Sequence, residues 1–303
     1  SSAILANEIS ASFRVLWESD LAAPAPIESL IAAESLPQGA VLDQEDLGEI
    51  LPFRIDEFPQ YISRCESNQG DRVVTFAGQD RGEQPLMGEL SQVVKQWRPK
   101  ILVIAAGGRF SLEAGSQPVT WDSPMFRALR MSWYDAVNFV PEIDSTWPEL
   151  LGQPSLGLHL RYSDRSHQTP SRREVLRAVR TLVERTGVNR VFIASDSTRE
   201  RERWLSTLGN NGLDAWSYSP KLVSTPKVNP AVVMALIDWR ILGKTAGSVF
   251  FTESSYGYEA AVASGNFETS LALDTNQFVR LRVGVSNHMK NLAGAPKRRG
   301  WRL

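Results

Sequence analysis

The side chains best suited to bind a ligand follow a short apolar run in the middle of the chain. Residues 155–166 read SLGLHLRYSDRS, an apolar segment typical of a buried strand, and then place His159, Arg161 and Asp164 in quick succession. In an open α/β sheet, ligands bind beyond the carboxyl ends of the strands. A guanidinium suits a phosphate there, because it can donate two parallel hydrogen bonds to two oxygens. The alternative interpretation is an ordinary salt bridge between Arg161 and Asp164.

Two further loops in the second half of the chain have the same character. Residues 195–197 (SDS) and 253–255 (ESS) each follow an apolar run that predicts a strand. Because parallel strands end at the same edge of a sheet, we expect all three loops to line one pocket, with Asp196, Ser254 and Ser255 among the binding groups. The two serines come directly before a predicted helix, whose free N–H groups and dipole favour an anion. N-capping by serine or by Asp196 is the alternative, and it requires no ligand.

An alternation of strands and helices must position these loops. The charge run RERER at 199–203 is interpreted as the solvated face of one of the helices. In the second half, we predict strands at 156–160, 190–194, 216–218, 248–252 and 270–273, and helices at 171–186, 198–208, 230–242 and 256–264. In the first half, we predict strands at 13–17, 72–76 and 100–105, helices at 85–97 and 125–137, and a largely parallel sheet.

The chain is long enough for two domains. We place the boundary in the proline-rich segment 141–154, which gives Rossmann-like domains at 1–145 and 146–303, the second with a C-terminal tail. Residues 21–46 are expected to form loops and short helices over the sheet. Residues 1–8 (SSAILANE) read as the middle of a helix, whereas a Rossmann-like domain normally opens with a strand and a glycine-rich turn. We therefore expect the first domain to be truncated at its start.

Composition excludes several classes of protein. The 303 residues carry a net charge of -1, which argues against a general nucleic-acid or membrane-surface binder. The single cysteine, Cys65, cannot form an internal disulfide and fits a reducing compartment. No apolar run is long enough to span a bilayer, and no secretory signal is visible. The cytoplasm is the favoured location, left open because the start is expected to be incomplete.

The absence of several motifs narrows the range of possible ligands further. No GxGxxG fingerprint follows a strand, no GxxxxGK[ST] phosphate loop occurs, and no Asp-x-Asp pair of the kind that holds a metal-bound sugar donor is present. The three histidines, His159, His167 and His288, show no metal-ligand spacing. We therefore expect neither a metal nor a dinucleotide cofactor.

Three ordered segments resemble the motifs of one enzyme family. Residues 159–164 (HLRYSD) are similar to the His-x-Arg-x-x-Asp segment of the GDP-fucose-dependent fucosyltransferases, which include the α1,6 enzymes, their nodulation relatives and the protein O-fucosyltransferases. Residues 191–197 (VFIASDS) resemble their second motif, a strand that ends in Thr/Ser-Asp. Residues 236–238 (LID), continuing to 251–255 (FTESS), resemble their helix with a base-binding Asp, followed by a strand and a Ser-Ser turn. The order and approximate spacing agree from Ser155 to Gly265.

The resemblance implies a two-domain GT-B fold, with two Rossmann-like domains facing each other across a cleft and GDP-fucose in the second. Arg161 would bind the β-phosphate and stabilise the charge that grows on GDP as it leaves. Ser255 and the amide of Tyr256 would hold the same diphosphate, His159 would position the nucleotide, and Asp238 would accept hydrogen bonds from guanine N1 and N2. The implied reaction is an inverting, metal-independent transfer of fucose to a glycan or other hydroxyl. A solvent-facing helical carboxylate is the alternative for Asp238.

The sequence also departs from the family. Tyr162 stands where the α1,6 enzymes carry a second arginine, and Thr169 lies near the place where a carboxylate base is expected. Asp164 and His167 are the nearest groups able to take a proton from an acceptor. Two other functions therefore stay open: a catalytically inactive nucleotide-sugar-binding or scaffold protein of the same fold, and a Rossmann oxidoreductase, against which the missing glycine fingerprint counts.

Overall fold

The computed structural model describes residues 12, 15–16, 26–35, 41–42, 48–51, 61–78, 86–106, 112–114, 117–119, 123–144, 151–162, 170–218, 230–252 and 254–274. The chain divides into two compact units. The first comprises Ser1–Glu142 with Thr225–Asn229, and the second Ile143–Ser224 with Pro230–Leu303. Both units contain helices and strands, which alternate regularly in the second, and this confirms the predicted α/β class. The arrangement of two domains across a cleft stays a prediction.

The first unit contains short sheets. Strands β1 (Val15–Leu16) and β2 (Val41–Leu42) pair in parallel. A three-stranded sheet has β4 (Arg72–Gly78) between β3 (Tyr61–Glu66) and β5 (Ile101–Ala106). Helix α1 (Leu86–Trp97) joins β4 to β5, and the hairpin of β6 (Leu112–Ala114) and β7 (Gln117–Val119) is followed by α2 (Pro124–Ala136). Two single-turn 3₁₀ helices, Ile27–Ser29 and Ala33–Ser35, lie in the region predicted as loops and short helices.

The expectation of a largely parallel sheet is wrong for β3. This strand runs antiparallel to β4, whereas β4 and β5 are parallel as predicted. The reversal is a tight turn in which the Ser67 hydroxyl accepts hydrogen bonds from the backbone N–H groups of Gln69 and Asp71, and Gly70 adopts a positive φ of 78°. A turn this short can join only antiparallel strands.

The second unit is built on one five-stranded sheet. All its pairs are parallel, in the order β10-β9-β8-β11-β12. Strand β8 (Leu156–Leu160) is central and entirely buried. After the short helix α3 (Pro141–Asp144), the elements are β8, α4 (Arg172–Thr186), β9 (Arg190–Ser195), α5 (Thr198–Gly209), β10 (Asp214–Trp216), α6 (Pro230–Leu242), β11 (Ser248–Phe251), α7 (Ser255–Ala263) and β12 (Leu271–Leu273). Each element from β8 onwards corresponds to a predicted element, with bounds that differ by at most a few residues, whereas α3 lies in the segment 141–154, where a linker and no helix is predicted.

Local signals in the sequence explain where α4 begins and ends. Ser171 and Glu174 form a capping box, in which each side chain accepts a hydrogen bond from the other's backbone N–H. Gly187 ends the helix in the left-handed conformation, with a φ of 72°. The buried face of the helix packs on the sheet, and its members are Val175, Ala178, Val179 and Leu182.

Gly157 allows helix α6 to lie close to the central strand. A Cβ atom at this position would lie 2.8 Å from Leu242 Cδ2 and 3.0 Å from Ser248 Cβ. Both distances are shorter than ordinary carbon–carbon contacts. A side chain at position 157 would therefore require Leu242 of α6, the helix that carries Asp238, to move.

Some predictions fall on residues that the structure does not describe. They include the opening helix at 1–8 and the helix and basic segment predicted after residue 274. Within the described ranges, no helix combines the length and apolar character that crossing a bilayer would require.

Candidate functional site

The candidate site lies at the carboxyl edge of the five-stranded sheet. The neighbouring strands β9, β8 and β11 end there at Ser195, Leu160 and Phe251. The described residues that follow these strands include Arg161, Asp196 and Ser254, which lie at this edge of the sheet in the second unit, as predicted. Asp164, His167 and Thr169 in the first loop and Glu253 in the third lie outside the described residues.

His159 is the buried centre of this edge. It lies near the end of β8 with only 7% of its surface exposed. Its Nδ1 is 3.4 Å from the Ser254 hydroxyl, and its ring stacks on that of Tyr256, with centroids 4.8 Å apart. Burial lowers the pKa of His159 to about 4, with Asp196 acting to raise it and Arg161 to lower it. The imidazole is therefore neutral at physiological pH and serves as a hydrogen-bonding group rather than a cation.

The first turn of α7 faces the same place. Ser254 caps the helix, because its buried hydroxyl accepts a hydrogen bond of 3.1 Å from the Gly257 N–H. Ser255 is exposed in the first turn, where backbone N–H groups lack intrahelical partners and the helix dipole is positive. The capping role of Ser254, given above as the alternative, is thus present. A role for Ser255 and the Tyr256 amide in holding a diphosphate stays a prediction.

Gly257 brings α7 against the strand and the histidine. A Cβ atom there would lie 2.6 Å from Phe250 Cβ and 2.9 Å from His159 Nδ1. Neither atom has room to accept a methyl group, since ordinary contacts begin near 3.4 Å. The glycine therefore permits the contact between His159 and the N-terminus of the helix.

Arg161 and Tyr162 follow directly after β8. Arg161 is half-buried and close enough to act on the pKa of His159. The Tyr162 N–H donates to Asp196 Oδ1 at 2.8 Å, and the Tyr162 hydroxyl accepts from the indole N–H of Trp204 at 3.0 Å. Asp196 in the loop after β9 and Trp204 in α5 thus fix the backbone beside Arg161. Burial raises the pKa of Tyr162.

The alternative role for Asp196 is wrong. The N-cap of α5 is Ser197, whose hydroxyl accepts a hydrogen bond from the Glu200 N–H. Asp196 instead uses its carboxylate to tie the loop after β9 to the loop after β8, through Tyr162. Its participation in ligand binding stays a prediction.

Asp238 lies inside the protein, so its alternative as a solvent-facing helical carboxylate is wrong. It is 4% exposed on α6, and its Oδ2 accepts a hydrogen bond of 3.0 Å from Arg201 Nη2. Burial raises the pKa of Asp238 to about 7, whereas Arg201 acts to lower it. The carboxylate is close enough to Tyr256 to raise the pKa of that phenol, which burial already raises well above its usual range.

Arg201 is the functional candidate that sequence reasoning missed. The interpretation of RERER as a solvated face is wrong at this residue, whose side chain is only 12% exposed. The missed signal is its spacing, since Arg201, Trp204 and Leu208 recur at the intervals of one helix face and the latter two are buried. Of the other side chains in the run, Arg199, Glu202 and Arg203 are exposed, whereas Glu200 is 14% exposed and pairs with Arg172 and Arg203.

Tyr256 connects His159 to helix α6. Its ring stacks on His159, and its hydroxyl donates to the backbone carbonyl of Ala235, one turn before Asp238 on α6. The predicted residues from β8, α6 and α7 are therefore in one continuous group. Among the residues that the structure describes, no three His, Cys, Asp or Glu side chains group together to hold a metal ion.

Comparison with known proteins identifies similar structures but no sequence match. The sequence matches no protein-family model and no curated protein. The apo form of POFUT1 matches at 11% identity over 89% of this chain and 91% of that chain, with a TM-score of 0.48. POFUT1 in complex with GDP-fucose matches at 11% identity over 86% and 87%, with a TM-score of 0.46.

A second group of matches covers less of the chain. The fucosyltransferase NodZ from Bradyrhizobium matches at 16% identity over 57% of this chain and 56% of that chain, with a TM-score of 0.36. Since these TM-scores are below 0.5, the function proposed for the chain depends on its own residues.

Proposed function

We propose that this chain is a glycosyltransferase that moves fucose from GDP-fucose to a hydroxyl group of a glycan or other acceptor, with inversion and without a metal ion. The observation that carries the proposal is the grouping of Arg161, His159 and the N-terminus of α7 at one sheet edge. His159 contacts the capping serine of α7, and Arg161 is close enough to influence the imidazole. A guanidinium opposite a helix N-terminus suits a diphosphate.

Arg161 has the main chemical task in this proposal. As the bond between fucose and the β-phosphate breaks, negative charge accumulates on GDP. A fixed cation aimed at that charge stabilises the transition state by a few kcal/mol, on the order of 10²–10³ in rate. The hydrogen bonds from Tyr162 to Asp196 and from Trp204 to Tyr162 hold the backbone next to Arg161 in place before the donor arrives. Such preorganisation avoids a reorganisation cost during the reaction.

The guanine base of GDP-fucose is proposed to bind at Asp238. A buried carboxylate that accepts from guanine N1–H and N2–H discriminates against adenine, whose N1 is itself an acceptor. Asp238 lies within the cluster, because Tyr256 contacts both His159 and the backbone of α6. Asp164 is the proposed general base for the acceptor hydroxyl, on the strength of its place in the His-x-Arg-x-x-Asp segment.

A donor-turnover assay tests the proposal. Release of GDP from GDP-fucose is followed with a panel of hydroxyl acceptors, in the presence of EDTA, and the anomeric configuration of the product is read by NMR. Wild-type protein is expected to turn over, Arg161→Ala to lose about 10²-fold in rate, and Asp164→Asn to lose turnover while it still binds GDP. Arg177→Ala is the matched control, since Arg177 is exposed on α4.

A second candidate is a nucleotide-sugar-binding protein that does not catalyse transfer. It is favoured by Tyr162, which replaces the second arginine of the α1,6 enzymes and whose hydroxyl is engaged by Trp204. The same assay separates the two functions. Folded protein that binds GDP-fucose yet releases no GDP with any acceptor would support the binding protein and contradict the transferase.

A further inference from the structure

The largely buried side chain of Arg201 is hydrogen-bonded to three elements near the candidate site. Its guanidinium donates to Asp238 Oδ2 at 3.0 Å, to the Ser195 carbonyl at 2.6 Å and to the Tyr218 carbonyl at 2.9 Å. Ser195 ends β9, Tyr218 follows β10, and Asp238 belongs to α6. Arg201 on α5 is therefore a largely buried residue that connects these three elements at the edge of the sheet where the nucleotide is proposed to bind.

The Asp238 carboxylate uses only one of its two oxygens. Oδ2 pairs with Arg201, whereas Oδ1 is buried and has no hydrogen-bond partner in the described part of the chain. A buried acceptor without a partner is costly and uncommon in folded proteins. The unused oxygen indicates a donor that arrives from outside the protein.

We propose that Arg201 is a positioning residue that sets base specificity, by holding Asp238 so that its unused Oδ1 accepts from a base with N–H donors on its Watson–Crick edge. The inference rests on the proposed function and deepens it. The planar fork of Arg201 fixes the orientation of the carboxyl group, and both partners are largely buried: the Arg201 side chain is 12% exposed and that of Asp238 is 6% exposed.

The partner that fits this oxygen is guanine rather than adenine. Guanine carries N–H donors at N1 and N2, whereas adenine has a bare acceptor at N1. Hypoxanthine keeps N1–H and lacks the exocyclic amine, so IDP separates the contribution of one donor from that of two. A site built around an unpaired acceptor rejects a base that leaves the acceptor unpaired.

Titration calorimetry of GDP, IDP and ADP against Arg201→Met, Arg201→Lys and Asp238→Asn tests the inference. In Arg201→Met, the ratio of GDP affinity to ADP affinity is expected to fall about tenfold or more, with ADP affinity within about threefold of wild type. Arg201→Lys keeps a charge near Asp238 but cannot make all three hydrogen bonds, so its ratio is expected to lie between those of Arg201→Met and wild type. Arg203→Met, on the exposed side of the same helix, is the control and should keep the wild-type ratio.

Several outcomes would overturn the inference. An unchanged ratio in Arg201→Met, or an equal loss of GDP and ADP, means that Arg201 supports only the fold. If Arg201→Met does not fold, the other two variants decide, because a wild-type ratio in either Arg201→Lys or Asp238→Asn contradicts the inference. Absence of GDP binding by the wild-type protein refutes the proposed function as well, whereas GDP binding with an unchanged ratio in the variants refutes this inference alone.

Discussion

Replacement of Gly257 by alanine tests the close contact on which the site depends. The new Cβ would lie 2.6 Å from Phe250 Cβ and 2.9 Å from His159 Nδ1. Carbon atoms in ordinary contact are about 3.5–4.0 Å apart, so the methyl group lacks about 1 Å of space. Because the nearer atom is next to the backbone of β11, it cannot rotate away, and helix α7 must shift from the strand.

The expected loss of stability follows from two opposing effects. Overpacking of a close contact costs about 1–3 kcal/mol, and the rigidity of this one favours the upper value. Alanine gains about 1 kcal/mol over glycine in a helix interior. The net loss is about 2 kcal/mol, which corresponds to a fall of about 4–8 °C in Tm for a unit of 150–250 residues.

Scanning calorimetry on Gly257→Ala and Gly209→Ala makes the comparison. Gly209 also lies in a helix, α5, but its added Cβ would have no atom within 4 Å. The control is therefore expected to keep or raise the Tm, whereas Gly257→Ala should lower the Tm and weaken GDP binding through displacement of His159. Equal melting temperatures for the two variants would refute the packing argument.

Three further predictions use other parts of the second unit. Asp238→Asn is expected to gain stability relative to wild type as pH rises from about 4 to 7, because the raised pKa of Asp238 means that the native protein holds a proton which the unfolded chain releases. The gain is at most about 4 kcal/mol. Among the described residues, the charged and titratable groups that face Asp238 are Arg201 and Tyr256, and His159 stacks on Tyr256. A stability difference between variant and wild type that stayed constant in urea unfolding at several pH values would contradict this prediction. Tyr162→Phe leaves the buried indole N–H of Trp204 without its partner and should cost about 1–3 kcal/mol in the free energy of unfolding, and an unchanged urea midpoint would show that this bond contributes nothing. Ser171→Ala removes the capping box of α4 and should cost about 1 kcal/mol with no change in GDP affinity; a calorimetric loss of GDP binding would mean that the start of α4 belongs to the site.

The sequence predicts the second unit well because its signals are local. The apolar run of β8, the capping serine of α4 and the glycine at its end each specify a boundary through neighbouring residues. The first unit is predicted less well. Strand β3 (YISRCE) mixes polar and apolar residues with no strong pattern, and its antiparallel pairing depends on the turn that follows.

The candidate site also has one part that local sequence signals predict and one part that they do not. Strand ends predict which loops meet, and His159, Asp196 and Ser254 are brought together as expected. The burial of Asp238 and Arg201 is not local, because the two side chains pair with each other from different helices, α6 and α5. A signal existed for Asp238, since α6 (PAVVMALIDWRIL) is apolar on nearly all sides and offers a carboxylate no solvent face. The partner itself could not be read from spacing.

The most direct test of the proposed function is titration calorimetry of GDP and ADP against wild-type protein, Arg161→Ala and the control Arg177→Ala. Wild type and Arg177→Ala are expected to bind GDP more tightly than ADP. Arg161→Ala is expected to lose on the order of 10-fold or more in affinity for both nucleotides, because both present the diphosphate to the same guanidinium. Equal affinity of wild type and Arg161→Ala for GDP, with both proteins folded, would contradict the assignment of the diphosphate to this edge of the sheet.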